Sequence, residues 1–328
     1  MSAARLRRAT TGDADLATIA TLTNAITPDD PTSVDEMRWS DATYPPGSAR
    51  FLAELDGRAV GVASVGRVHV KPPEHADFWA YLAVVPESRR QGIGETLLVA
   101  ICTAARDAGK TGLTLRVSGA RPESAAFLEH RGFTERSRAA MVRLALEGLE
   151  PPAIVPPAGI VITDLATRPD LVPGIHAVAL EAFADIPADD EPMAVGDLAE
   201  FRARDVDRPG IPADAFAVAL DAASDEVVGY ASLILQPGST TVAWHDMTAV
   251  RRAWRGRGIA GALKRATIAW ACAHGLTALE TGNDLENAPM RAVNRQLGYR
   301  PIPDDITFRG PLFLPDTSSR RSRVNGGA

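Results

Sequence analysis

The chain has 328 residues, of which 45% are hydrophobic and 23% charged, and its formal net charge is −6. That balance belongs to a globular protein of about two domains, each half long enough to bury its own core. The negative charge argues against a nucleic-acid partner and suits a cationic small substrate.

No apolar run approaches the roughly 18 residues of a membrane span. The basic start Met1-Ser-Ala-Ala-Arg-Leu-Arg-Arg lacks the apolar segment of a signal peptide. The expected setting is cytoplasmic, with no membrane partner, as a monomer or homodimer. Cys102 and Cys272 fall in predicted helices among apolar neighbours and read as buried small hydrophobes, not as a disulfide framework. His69, His75, His130, His176, His245 and His274 show no metal-ligand spacing, so no metal is expected.

In chain order, the periodicities predict a strand over 5–9 and a helix over 13–25 built on Leu16, Ile19 and Leu22. Thr27-Pro-Asp-Asp-Pro31 breaks it before a short helix over 33–39. A hairpin over 51–55 and 59–68 turns at Asp56-Gly57. Next come a strand over 78–85, a helix over 94–108 ending near Gly109, a strand over 113–117, a helix over 122–130 and a strand over 141–146. The proline-rich stretch 151–159 reads as an extended linker. The order then repeats: strand 160–164, helix 171–183, an acidic break over 186–192, helix 195–205, strands 216–220 and 227–235, and a strand ending at Val250. A helix from Ile259, a strand over 277–281, a helix over 288–297 and a strand over 306–313 follow. The Ser/Arg/Gly-rich tail 316–328 is expected to be disordered.

Landmarks recur at a near-constant interval. Gly92 and Gly258 stand 166 residues apart, as do Gly132-Phe133 and Gly298-Tyr299, while Gly61 and Gly229 stand 168 apart. Such offsets mark an internal duplication. The expected domains are 1–150 and 160–315, joined by 151–159. The expected fold class is α/β (α+β), two tandem modules, each a mixed, mostly antiparallel sheet flanked by helices.

Each module sets a glycine loop between a strand and a helix. The first reads Arg89-Arg90-Gln91-Gly92-Ile93-Gly94-Glu95 and the second Arg255-Gly256-Arg257-Gly258-Ile259-Ala260-Gly261. Glycine lets backbone N–H groups approach a ligand, and the start of the next helix favours an anion, most simply a pyrophosphate. Neither loop ends in the Gly-Lys-Ser/Thr of a P-loop. Gly256, Gly258 and Gly261 fit the dinucleotide pattern G-x-G-x-x-G, with Glu280 near the place of its acid, which leaves a nucleotide-binding oxidoreductase open. Arg89-x-x-Gly92-x-Gly94 and Arg255-x-x-Gly258-x-Ala260 resemble the Arg/Gln-x-x-Gly-x-Gly/Ala signature of the GNAT superfamily of acyl-CoA N-acyltransferases. Two copies at equivalent places separate this reading from the others. The element order of each half is similar to the GNAT fold, and the layout is similar to tandem mycothiol synthase-like proteins, so the resemblance covers nearly the whole chain.

The resemblance implies an acetyl-CoA-dependent N-acetyltransferase acting on the primary amine of a small molecule, with chemistry in the second module. In the family the fourth strand parts from the fifth, and pantetheine pairs in the gap as an extra strand. Carried over, Thr248, Ala249 and Val250 would meet pantetheine, and Arg255 to Gly261 the pyrophosphate. A backbone N–H near Val250 would polarise the thioester carbonyl. The first-module counterparts are Leu82, Ala83 and Val84, with Arg89 to Glu95. The family's base precedes the first signature glycine on the fourth strand, at Asp246 here, with Trp244 on the same face and His245 on the other. Asp246 reads either as base or substrate anchor, or as a strand carboxylate paired with an arginine. Trp244 is expected to touch the acceptor. The first module has Ala80 and Phe78 at these places, and reads as a coenzyme A binder without turnover or as a structural half.

For the departing thiolate the family offers the Tyr of Asn-x-x-Ala-x-x-x-Tyr-x-x-x-Gly-Phe. This chain has Asn287-x-x-Met290-x-x-x-Asn294-x-x-x-Gly298-Tyr299, and the first module has Arg121 and Leu128 where the Asn and Tyr belong. Asn294 cannot titrate, although its amide can hydrogen-bond the thiolate or pantetheine. Asn283 and Asn287 read as coenzyme A contacts or as turn and cap residues. Asp185 opens the acidic segment 185–191, whose carboxylates suit an ammonium group or are solvated loop charges. A coenzyme A-binding regulatory or scaffold protein without turnover is the alternative that the missing Tyr keeps open.

Overall fold

Alternating apolar residues build strands that all join one sheet. The computed structural model describes residues 4–44, 48–68, 70–186, 193–237 and 241–313. The first half comprises β1 (Arg5–Arg8), α1 (Asp13–Ile26), α2 (Val34–Thr43), β2 (Ala49–Leu55), β3 (Arg58–Arg67), β4 (Asp77–Val84), α3 (Ile93–Asp107), β5 (Gly112–Ser118), α4 (Pro122–Glu129) and β6 (Thr134–Ala145). The second comprises β7 (Ile160–Asp164), α5 (Val172–Phe183), α6 (Leu198–Phe201), β8 (Ala217–Asp221), β9 (Val227–Leu235), β10 (Val242–Val250), α7 (Ile259–Ala273), β11 (Ala278–Asp284), α8 (Ala288–Gln296), β12 (Arg300–Pro301) and β13 (Asp305–Pro311). Several elements differ from the sequence reading: α2 runs on to Thr43, and β12 has no expected counterpart. β6 begins seven residues earlier than the expected strand, at Thr134. The expected helix over 195–205 is a single α-helical turn followed by a π-helical turn over Arg202–Val206. The expected disordered tail and residues 187–192 of the acidic break lie outside the described residues. No helix among the described residues is long and apolar enough to cross a membrane. Cys102 is buried and Cys272 partly so, and both are free.

The sheet runs β1-β2-β3-β4-β5-β13-β6-β11-β10-β9-β8-β7, with β12 beside β6. Its neighbours are antiparallel except for β4–β5 and β10–β11. In the first half α3 covers one face through Leu97, Leu98 and Ile101, and α1 and α2 cover the other through Leu16, Ile19 and Met37. In the second, Ile259 and Leu263 of α7 pack on Ala231 and Val250, while Ile175 and Val178 of α5 pack on Tyr230 and Ala249.

The two halves exchange their closing strands. β13 lies between β5 and β6, with Phe308 opposite Leu115 and Glu135. β6 runs along β11, with Met141 opposite Gly282 and Leu144 opposite Leu279. Each core therefore contains apolar residues of the other half. Ile306 and Phe308 pack with Leu98, Leu113 and Phe133, and Leu144 and Leu146 pack with Leu233, Ile268 and Leu279. Asp77 of β4, 3% exposed, is bound by Arg309 of β13 at 2.5 Å. Glycine permits the close approach: a Cβ on Gly310 would fall 2.4 Å from the Phe133 ring, and one on Gly282 2.6 Å from the Met141 sulfur.

Both parallel pairs are wedges. β4 and β5 pair only from Asp77–Gly112 to Ala80–Leu115, and β10 and β11 only from Val242–Ala278 to Trp244–Glu280. Beyond those pairs the strands splay. The glycine loops leave β4 and β10 at the open ends.

Candidate active site

The two loops share a backbone plan. Gly92 and Gly258 have left-handed φ angles of 81° and 88° and cap α3 and α7. Arg255 Nε donates to the Val250 carbonyl at 2.9 Å, and Arg89 Nε donates to the Val84 carbonyl at 3.0 Å. The first arginine of each signature thus ties its loop to the end of its own strand. Arg257 turns away to the Ala253 carbonyl and the Trp254 ring. At one position the same left-handed backbone is carried by different residues, Gly256 at φ 74° and Arg90 at φ 61°. Glycine takes that conformation without strain.

Asp185 is not in the wall of the cavity beside these elements. Its carboxylate holds Arg252 at 2.6 Å and Arg255 at 2.7 Å, and hydrogen bonds from those guanidinium groups bring its pKa down to about 2. An ammonium group would have to displace two arginines there. The remaining acidic segment, 187–191, lies outside the described residues.

β10 carries a bulge. His245 pairs with Leu233 and Thr248 with Ala231, so Asp246 and Met247 together oppose the single Ser232. β4 is regular over the same span. Trp79 opposite Thr114 matches Trp244 opposite Glu280, and Ala80 therefore matches His245. Counting back from the glycines had aligned Ala80 with Asp246. Asp246 instead belongs to a two-residue bulge that stands where β4 has Tyr81 alone. Such an insertion re-aims side chains.

The bulge directs Asp246 at an open cavity of about 690 Å³ lined by both halves. Ser232 Oγ lies 3.5 Å from Asp246 Oδ2. Burial pushes the Asp246 pKa up against the opposing pull of Arg208. Asp205, on the π-helical turn, is pushed up to about 6 by burial, although Arg204 lies 2.8 Å away; the Asp246 charge adds to the shift. Trp244 lines the same space. The first half supplies the facing wall through Glu36, Trp39 and Tyr44. Arg208 pairs with Glu36 and lies 5.1 Å over the Trp39 ring, and Trp39 Nε1 donates to the Ala203 carbonyl at 2.8 Å.

The other face of β10 packs on a buried polar chain. His245 Nδ1 is 2.9 Å from the Tyr299 hydroxyl, and Nε2 is 3.2 Å from Thr267 Oγ1. Lys264 Nζ donates to Asn294 Oδ1 at 2.8 Å, and Asn294 Nδ2 donates to Asn283 Oδ1 at 2.6 Å. Burial brings the Lys264 pKa down to about 7 and, with the Lys264 charge, holds that of His245 well below its usual value. Asn287 caps α8 by accepting from the Met290 amide at 3.2 Å. Lys264, Thr248, Asn283 and Asn287 all border the cavity. Asp205, Arg208 and Lys264 were not singled out from the sequence. For Lys264 a signal existed: it interrupts the apolar stripe of α7, and Leu98 stands 166 residues before it.

The exposed edge of β10 fits the chemistry of the expected coenzyme A. The Thr248 hydroxyl is buried without a hydrogen-bond partner. The Arg251 amide donates to the Val228 carbonyl on β9, so by alternation the Val250 amide faces the gap. An open strand edge leading to a glycine-cornered helix start fits an amide chain that ends in an anion. In the first half the corresponding side chains are Leu82, Leu98 and Leu128.

An acetyltransferase (GNAT) family model matches residues 17–133 and 180–299, one region for each loop and wedge. The chain belongs to the GNAT family. Its fold is similar to that of a tandem GNAT protein from the clavulanic acid biosynthesis pathway, with 23% identity over 96% of this chain and 100% of that one and a TM-score of 0.77. It is also similar to a GCN5-related N-acetyltransferase from Sphaerobacter thermophilus (19% identity, 94% and 96% coverage, TM-score 0.70). A third likeness is to the glucosamine N-acetyltransferase region of a fungal multi-domain beta-N-acetylglucosaminidase (14%, 94% and 38%, TM-score 0.68). At these identities the likeness is one of fold. No curated protein matches the chain significantly in sequence. Two GNAT regions in tandem make acyl transfer the general chemistry of the chain. The G-x-G-x-x-G spacing falls within the GNAT loop, and Glu280 is engaged by Arg143 at 2.7 Å. Among the described residues no group of three or more His, Cys, Asp or Glu is placed to hold a metal ion.

Proposed function

We infer that the chain transfers an acetyl group from acetyl-CoA to a primary amine of a small molecule, and that the second GNAT region carries the chemistry. The observation behind this reading is Asp246, a half-buried carboxylate that the β10 bulge aims into the cavity at the mouth of the β10–β11 wedge. The cofactor, when bound, supplies an activated acyl thioester. Residues Thr248 to Val250 offer the strand edge, and the loop from Arg255 to Gly261 offers backbone amides to the pyrophosphate. The Val250 amide is the donor for the thioester carbonyl. Asp246 takes up the proton that the acceptor ammonium must lose, and its raised pKa brings it closer to neutrality, where such an exchange is efficient. Asp205 adds a second carboxylate, and Trp39, Tyr44 and Trp244 give an aromatic wall suited to a cationic acceptor.

The test is thiol release from acetyl-CoA across a panel of small amines, alongside native mass spectrometry to count coenzyme A per chain. Release with at least one amine supports the reading. Bound coenzyme A with no release from any amine marks a coenzyme A-binding scaffold instead.

A further inference from the structure

The duplication supplies an internal control for the polar chain behind β10. Lys264, Thr267, Asn294 and Tyr299 each stand 166 residues after an apolar residue of the first half: Leu98, Ile101, Leu128 and Phe133. His245 matches Ala80 by strand pairing. All five first-half residues are buried, none more than 4% exposed. The same packing site is therefore filled by hydrocarbon in one half and by a connected set of polar groups in the other. The fold does not require those groups, because the first half forms the same helix, wedge and strand without them. Burying an ammonium with no counter-charge is unfavourable. Lys264 is 1% exposed, and no carboxylate among the described residues lies within ion-pairing distance of it.

What surrounds Lys264 defines its chemistry. An ammonium has three N–H donors, and Asn294 Oδ1 takes one. The amine lies 5.1 Å over the Tyr299 ring. The titratable groups near it are His245 of β10 and Tyr299 beyond α8. Burial keeps the first neutral and the second protonated. Lys264 is thus the one group of this set that changes charge near neutrality, and it lines the same cavity as Thr248 and Asn283. Asn294, which holds it there, occupies the position where an ionisable side chain is missing.

We propose that Lys264 is the proton donor to the thiolate that leaves when the acyl group is transferred, with Asn294 as its positioning residue. This rests on the acyl-transfer reading above. The acceptor nitrogen bonds to the acyl carbon and sheds, through Asp246 to water, the proton it must lose to become an amide; the carbon–sulfur bond breaks with its electron pair going to sulfur, and the Lys264 ammonium gives one proton to that sulfur. The products are amide, thiol and a neutral lysine, which regains its proton from water through the cavity.

Two measurements test it. The first uses the ligand-free protein with ¹³C-labelled lysine, followed by NMR over pH, the Lys264 signal being assigned by its loss in Lys264→Met. A titration near pH 7 is expected; one near the ordinary lysine value of about 10.4 overturns the proposal. This group's folded-state pKa is below its unfolded value, so the unfolded chain binds more protons between the two. Stability should therefore rise with pH, the unfolding constant falling about 10-fold per pH unit across that window, and Lys264→Met should lose this dependence. The second is the pH–rate profile of thiol release. The wild type should decline above about pH 7, as the donor loses its proton. Lys264→Met and Lys264→Arg should both fall about 100-fold in kcat, with KM for acetyl-CoA little changed. Arginine keeps the charge but not a transferable proton, so rescue by Lys264→Arg would mean that charge alone matters and would overturn the donor. Wild-type protein inert with every amine removes the acyl-transfer reading and this donor with it. Active wild type matched by Lys264→Met in rate and pH profile removes the donor alone.

Discussion

Asp246 and Asp205 share one cavity, and burial raises both pKa values. A base must lose its proton to act, so the rate should rise with pH as these carboxyls ionise. Their raised values move that acidic limb above the usual carboxylate range. Because the two interact, the limb belongs to the pair. Asp246→Asn keeps the shape and removes the basicity. It should lower kcat by roughly 100-fold and flatten the limb, with acetyl-CoA affinity unchanged. A rise in the amine KM at constant kcat would make Asp246 an anchor. At the loop, Gly258→Glu places a negative charge where the pyrophosphate is expected, but any side chain there also meets a φ of 88°. Gly258→Ala carries the backbone strain without the charge. Turnover should survive in the alanine variant and vanish in the glutamate variant, and Gly92→Glu should leave most of it if only the second loop serves catalysis.

At the level of elements, helices and strands were legible because their periodicities are local. α7 starts at Ile259 as expected, and the hairpin turns at Asp56-Gly57. What could not be read was pairing. Nothing near residue 306 announces that β13 will lie against Leu115, since register depends on distant partners. The bulge was hidden for a related reason. It adds a residue within β10 that shows only against β9, so counting from Gly258 matches Asp246 with the wrong residue of β4. Asn294 shows a different limit: its position was legible, but its partner Lys264 was not singled out. The exchange itself is testable at Gly310, whose added Cβ would press on Phe133. Gly310→Ala should destabilise by about 1–3 kcal/mol through overpacking, read as a lowered denaturation midpoint at constant slope.

Across the whole molecule, the cavity proposed for the acceptor belongs to neither half alone. Asp246, Asp205 and Arg208 come from the second half, and Glu36, Trp39 and Tyr44 from the first. The first region thus forms part of the second region's wall, whatever it does with its own loop. Trp39→Ala should raise the acceptor KM about 10-fold while KM for acetyl-CoA stays put, as measured by varying each substrate at saturation of the other. The exchanged strands extend this interdependence to the order of synthesis. A ribosome delivers β5 long before β13, the strand that pairs with it. Until residues 305–311 emerge, β5 has no partner on its outer side and the Phe133 cluster lacks Phe308. The nascent first half therefore waits with an unprotected edge, the kind of surface on which chains associate wrongly. Its maturation is timed by β13, so the chain should complete its two GNAT regions together and not one after the other.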